Sequence, residues 1–409
     1  MMVYIKSFFG WMLLIAFSCQ SQSKDHTSLP AKDATLIKRV GGSFENSEFI
    51  YDKMQKNIPS VDISGAWDEH GQKLIITGKV YKIDGRTPAA NVVLYYYHTN
   101  GEGKYKHKPE IERSMPPNHL GQTHGYIRGW VKTDSTGSYS IHTLRPGVYP
   151  SRDTPAHIHI TVKEPNEINE YYIDDLVFDD DQLLTGDVRK KLENRGGSGV
   201  LRILLSDDTQ IAEHNIVLGL NIPDYPVEKS MSLASGLSIG EDQPSFMPYH
   251  VYGPDKGSRT CPVCKYGRYH GIIYFAGANP DWGEIKSWLR YMEQESKSRK
   301  TYLKAYLVCS GEKGKDLSTI KNKLTQLGKE LYIIRTALTV VPSINDIDSE
   351  MYLNEINPKV KNTIIVYRHR NIIDKYINLD PTDANFAKLS KVLDQSKGDY
   401  FHLAVPEHD

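Results

Sequence analysis

The chain has no excess charge of either sign, with 50 Lys and Arg against 50 Asp and Glu. It therefore lacks the basic surplus that marks a nucleic-acid partner, and none is expected. Cysteine is scarce: Cys19, Cys261, Cys264 and Cys309 are all there are. Phenylalanine is scarce too, 10 residues against 26 tyrosines. Beyond the N-terminus no apolar run is long enough to span a bilayer. The length, 409 residues, exceeds what one domain usually takes, and roughly two to three are expected.

The apolar run sits at the start. Lys6 precedes SFFGWMLLIAFSC, which has the length of a signal peptide and is short for a transmembrane helix. It ends at Cys19 and gives way to polar QSQSKDH. A small residue before a cysteine resembles a bacterial lipoprotein signal. That resemblance implies residues 1–18 as the signal, Cys19 as the lipidated first mature residue and 19–45 as a tether. An ordinary secretory signal is the alternative. Both export the protein, and the first anchors it in a membrane facing the periplasm or the cell exterior.

From Lys73 the chain becomes a series of short β-rich runs, KLIITGKVYKIDG, ANVVLYYYHTNG, GWVKTDSTGSYSIHTL and AHIHITV. Asp-Gly, Asn-Gly and Thr-Gly turns separate them, the pattern of a β-sandwich over 46–225. Residues 226–255, rich in Ser, Gly and Pro, read as a linker. After it, strand and helix patterns alternate from GIIYFAG through WGEIKSWLRYMEQESKS to NFAKLSKVLDQ. That order predicts a smaller α/β domain over 256–409. The whole is mainly β.

The stretch YPSRDTPAHIHITV, from Tyr149 to Val162, carries the chemistry. Pro155 blocks a helix and the β-branched residues favour a strand. His157 and His159 then share one face, as residues two apart in a strand do. Two imidazoles on one face suit a metal; they equally suit the wet half of an alternating strand.

The upstream context enlarges the pattern. Gly78-Lys79-Val80, Asp84-Gly85, Pro88, Arg128-Gly129, Thr133-Asp134, Gly137-Ser138-Tyr139, Pro146-Gly147 and the His-Ile-His follow one another in order. From about Ile76 to Tyr225 this succession resembles the intradiol ring-cleavage dioxygenases, the catechol and protocatechuate family. The resemblance implies an Fe(III) ion held by Tyr105, Tyr149, His157 and His159. Phenolate is a hard anionic donor that favours the ferric state, and a trivalent ion lowers the phenol pKa far below about 10. It also implies a small aromatic diol and O2 as substrates, cleaved to a cis,cis-muconate-type diacid, with Tyr149 taking a substrate proton. Family members commonly carry an arginine three residues before the first histidine ligand. Here that position is Thr154, and Arg152 is the nearest candidate for the catalytic cation. Other histidines, His98, His107, His119, His124 and His142, read as exposed, with His124 and Tyr126 as pocket candidates.

The strand and helix order after the linker resembles the thioredoxin-like fold. Cys261-Pro-Val-Cys264 then reads as a redox pair, a disulfide or half of a metal site. It precedes the strand GIIYFAG, whereas a redox-active CxxC would follow it, where AGANPDW stands. A structural pair is therefore expected, with Cys309 buried. Two functions remain: an exported intradiol dioxygenase, or a binding scaffold whose sandwich is non-catalytic and whose C-terminal domain faces a partner.

Overall fold

The protein is described by a computed structural model covering residues 39–42, 47–226, 233–312 and 314–406. The signal run, Cys19 and all of the tether except 39–42 lie outside the described residues. Among the described residues no helix is long and apolar enough to cross a membrane.

Among the described residues the first part holds, after a 3-10 turn at Ser47–Ile50, twelve strands and one short α-helix. In chain order they are β1 (Val61–Ile63), β2 (Lys73–Tyr81), β3 (Val93–Tyr97), β4 (Arg128–Lys132), β5 (Ser138–Leu144), β6 (His157–Lys163), β7 (Tyr171–Tyr172), β8 (Leu176–Phe178), α1 (Gly186–Arg189), β9 (Val200–Leu201), β10 (Leu204–Ser206), β11 (Thr209–Glu213) and β12 (Ile216–Val217). One sheet runs β1-β5-β2-β11-β10 with β12 beside β2. The other runs β4-β3-β6-β8-β9 with β7 beside β6. Alternate residues of β2 (Leu74, Ile76, Val80) and of β6 (Ile158, Ile160, Val162) fill one shared core. This is a two-layer sandwich, with period-two patterning burying one face of each sheet.

The outer face of the second sheet is not left bare. Val93, Tyr95 and Tyr97 of β3 and Trp130 of β4 point away from the shared core and pack on Ile50 and Ile58. Trp130 donates its indole N–H to Ile50 O at 2.7 Å. Arg128, wholly buried, donates to Phe49 O at 2.6 Å and to the Asp52 carboxylate at 2.9 Å. The buried charge is thereby paired and bonded, as a buried guanidinium must be. Gly129 admits no side chain: a Cβ there would stand 2.1 Å from Asp62 Oδ2, which bonds Arg113 and Tyr96.

The second part is α/β. Strands β13 (Tyr249–Tyr252), β14 (His270–Ala276), β15 (Leu303–Ser310), β16 (Thr336–Val341), β17 (Asn362–Arg368) and β18 (Asn371–Ile377) form one sheet in the order β13-β16-β15-β14-β17-β18. β14, β15 and β16 are parallel; β13, β17 and β18 pair antiparallel. Helices α3 (Trp282–Arg299), α4 (Ser318–Glu330) and α5 (Asp383–Gln395) cover one face, through residues such as Trp288, Leu327 and Leu393. The other face is covered by chain from the stretch read as a linker, notably Phe246, and by the short helix α2 (Pro262–Tyr266). β13 itself lies inside 226–255, so part of that stretch is sheet. Its Ser, Gly and Pro content concealed a strand that depends on β16 for its partner.

Both parts belong to one compact unit, Arg39–Asp409. The β17–β18 hairpin reaches the sandwich: Arg368 pairs with Glu213, and Arg86 of the sandwich pairs with Asp374.

Candidate metal centre

β6 presents His157 and His159 on the outer face of the second sheet, both half-buried, while Ile158 and Ile160 point inward. Two loops bring the tyrosines to them. Asn100 accepts from Glu102 N and Lys104 N at 3.1 and 3.0 Å, which curls the segment leading to Tyr105. Gly147 N donates to Asn100 O at 3.0 Å, and Thr99 Oγ1 donates to Gly147 O at 2.8 Å. The two loops touch backbone to backbone. Gly103 lies at φ +73°, and a Cβ on it would fall 1.8 Å from Val148 O. Only glycine fits there, and Tyr105 and Tyr149 are held side by side as a result.

Four donor atoms converge. Tyr105 Oη lies 3.0 Å from Tyr149 Oη; Tyr149 Oη lies 3.1 Å from His157 Nε2; Tyr105 Oη lies 3.1 Å from His159 Nε2. On the far side of each ring, His157 Nδ1 meets Pro155 O at 2.7 Å and His159 Nδ1 meets Asp175 Oδ1 at 2.7 Å. A carbonyl and a carboxylate only accept, so both Nδ1 atoms carry protons and both Nε2 lone pairs face the phenols.

A proton count shows what this set lacks. Each phenol brings one hydrogen and each Nε2 brings none. Three contacts of 3.0–3.1 Å are served by two hydrogens. A cation at the centre would satisfy all four lone pairs at once. Donors about 2.0–2.1 Å from a first-row metal and subtending roughly a right angle are spaced in this way. Burial pushes both phenols up, and the Tyr149 phenol beside it raises Tyr105 further. Ionising them needs a strong local positive charge. Burial, with His159 alongside, holds His157 below its usual value and keeps it neutral as a ligand must be. Two phenol oxygens with two imidazoles fit a ferric ion better than a soft or divalent one.

Asp175 escaped the sequence reading. Burial works against its ionisation, yet the His159 hydrogen bond and the two imidazoles outweigh that and hold its carboxyl below the usual range. His157, His159 and Asp175 form the one cluster of this kind among the described residues. Asp175 nonetheless lies behind His159, on Nδ1, and orients that ring. Its position sixteen residues on, before β8, has no motif; only the pairing of β6 with β8 brings it back.

A cleft of about 620 Å³ opens over the set, lined by Tyr105, Tyr149 and His159 with Phe49, Tyr97, Gln122, Thr123 and His124. Its cations are Lys104 and Lys106. Arg152 is not among them: it sits exposed in a turn at φ +54°, its N–H bonded to Tyr149 O at 2.9 Å. The turn that places Tyr149 sends Arg152 outward, so the expected catalytic cation is not supplied from there. His124, read as exposed, is buried. It lies flat on Tyr97, rings 3.5 Å apart, with Tyr95 Oη 2.7 Å from its Nδ1. Burial, with Arg128 and His159 nearby, pushes it down to about 3. His98 is also buried, its Nε2 2.8 Å from Thr143 Oγ1. Tyr126 is buried outside the cleft and donates to Glu69 at 2.8 Å. Cys261 and Cys264 are joined by a disulfide, with Cys261 capping α2, and Cys309 is buried and free.

Residues 47–196 match the family model of Dioxygenase_C, a dioxygenase family. Over 98 residues the chain is 31% identical to a protocatechuate 3,4-dioxygenase beta chain of Burkholderia cepacia, covering 22% of this chain and 39% of that protein. The chain thus spans about two fifths of that relative's length. Among solved structures, it is similar to hydroxyquinol 1,2-dioxygenase from Pseudomonas putida DLL-E4, at 21% identity, 40% of this chain, 62% of the other and a TM-score of 0.28. It is also similar to catechol 1,2-dioxygenase from Acinetobacter sp. ADP1, at 18% identity, 42% and 63% coverage and a TM-score of 0.29. The sandwich segment is thus similar in sequence to a dioxygenase family model and to part of one protocatechuate dioxygenase chain.

Proposed function

We propose that the protein is an Fe(III)-dependent intradiol dioxygenase that opens a catechol-type diol with O2 to a cis,cis-muconate-type diacid. The convergence of Tyr105, Tyr149, His157 and His159 at 3.0–3.1 Å carries this reading. A ferric ion held by these four would supply the Lewis acidity that keeps the phenols ionised and draws electron density from a catechol ring. The chain supplies the rest. Asp175 and Pro155 O fix the two imidazoles. Tyr149, beside the cleft, accepts the proton of an incoming catechol hydroxyl at Oη. Phe49 and Tyr97 offer apolar ring faces. Lys104 favours an anionic ring over a neutral one, while Lys106 beside it is paired with Glu102.

The decisive experiment is metal analysis with visible absorbance, followed by turnover on a catechol series. One iron per chain and a red-brown tyrosinate-to-iron band are expected. A colourless protein that takes up no iron on ferric loading would leave only the scaffold reading. The exposed position of Arg152 is what favours that second reading.

The apolar run ending at Cys19 supports export and lipid anchoring. The parallel β14–β15 unit followed by the β17–β18 hairpin supports a thioredoxin-like relationship for the second part. Strand β16 and the one-sided helices set it apart, and its disulfide lies before the first parallel strand.

A further inference from the structure

An aromatic column runs from the candidate metal centre into the second sheet, and beyond Tyr97 ring cleavage does not use it. Its order is set by strand register. Tyr97 of β3 lies opposite His159 of β6, and Tyr95 lies opposite Trp130 of β4. Ring centroids are 4.5 Å apart from His159 to Tyr97, 6.0 Å from Tyr105 to Tyr97, 5.6 Å from Tyr97 to Tyr95 and 5.4 Å from Tyr95 to Trp130. Tyr95, Tyr97 and Trp130 are 1%, 8% and 3% exposed, so the column is shielded from solvent.

Phenol and indole are among the side chains that lose one electron most easily, and transfer between rings weakens steeply with distance. Contact-range spacing therefore makes a conducting path. A buried phenol cannot keep a positive hole, because its acidity rises enormously on oxidation and it must lose its proton at once. That requires a base already at the hydroxyl. Tyr95 has one: neutral His124 Nδ1, 2.7 Å away. Packing alone would explain stacked rings, worth about 0.5–1.5 kcal/mol a pair, but has no need of an imidazole on the phenol oxygen.

We propose that Tyr95 and His124 form a redox-active tyrosine–histidine pair that drains one-electron oxidising equivalents from the centre through Tyr97, with Trp130 next in line. The oxidant is an oxygen-centred radical, hydroxyl or aryloxyl, arising in the cleft. It takes one electron from the Tyr105 phenolate and leaves as hydroxide or a phenolate. The Tyr105 phenoxyl takes one electron from Tyr95 by way of Tyr97 and becomes a phenolate. Tyr95 passes its proton to His124 Nδ1 in the same step and is left as a neutral phenoxyl beside an imidazolium. The hole is thus moved off a ligand to a site that holds no metal. The entry point at Tyr105 rests on the proposed ligand set; the Tyr95–His124 pair stands on its own geometry.

The test uses the full chain, metal-free and iron-loaded, oxidised by photogenerated tris(bipyridine)ruthenium(III) and frozen for electron paramagnetic resonance. Oxidised residues are then mapped by peptide mass spectrometry. The expected result is a phenoxyl signal with a coupling to an exchangeable proton, lost in deuterium oxide. Its yield falls severalfold in Tyr95→Phe, which keeps the ring and its packing. His124→Asn abolishes the proton coupling. In both variants, oxidation of Tyr105 and Tyr97 rises severalfold. Trp130→Phe leaves the Tyr95 signal and lengthens its lifetime. An unchanged yield and oxidation map in Tyr95→Phe, with native circular dichroism, overturns the proposal. The metal-free arm needs no iron, so failure there counts against the pair alone, and failure to load iron counts against the dioxygenase reading.

Discussion

Replacing Asp175 by Asn separates the metal centre from the scaffold that carries it. The ionised Asp175 carboxylate accepts the His159 Nδ1 proton at 2.7 Å, and this pulls electron density onto Nε2, the proposed ligand atom. Asparagine keeps an oxygen for that proton and removes the charge. Loss of such an outer partner typically weakens metal affinity by about 10–100-fold, or roughly 1.4–2.7 kcal/mol. The Asp175 side chain is 44% exposed, so its net contribution to the metal-free fold is screened to under about 1 kcal/mol. Iron affinity should therefore fall while thermal stability without metal stays within a few degrees. A less basic His159 also leaves the ion more electron-poor, so the tyrosinate-to-iron band should move to longer wavelength. Competition titration against a chelator, a metal-free melt and an absorption spectrum measure these. If affinity and band both match the parent, Asp175 does not tune His159 and the tautomer argument fails with it.

Tyr105→Phe and His159→Ala should each lose iron and colour, read by metal analysis; a variant that keeps both would remove that residue from the ligand set. Arg152→Ala should leave catechol turnover within about twofold, as exposed substitutions usually do, and a large loss would mean the turn closes over substrate. Cys261→Ser with Cys264→Ser should leave iron and turnover intact and lower only thermal stability, since the disulfide belongs to the α/β part. Stability should fall as pH drops from about 6.5 toward 4. Burial holds His214 down at about 4, so the unfolded chain binds its proton first and gains stability relative to the native one. His214→Gln should flatten that slope in a pH series of melts.

The sequence alone determined what is local. Alternation in AHIHITV placed His157 and His159 on one face, because side chains two apart in a strand must share it. Turn signals marked the sandwich, and the resemblance carried by the ordered motifs implied Tyr149 and Tyr105. Tertiary structure alone decided what those faces meet. Gly103 reads as an ordinary turn residue until Val148 O is found against it. Asp175 carries no signal until β8 pairs with β6. His124 reads as exposed because nothing near it in the chain shows that Phe49 and Tyr97 will enclose it. Arg152 went the other way: three residues from Tyr149 in sequence, it stands exposed on a left-handed residue, its own. Short-range periodicity is written in the covalent chain. Donor distances, burial and partners are set by strands that meet only after long loops close.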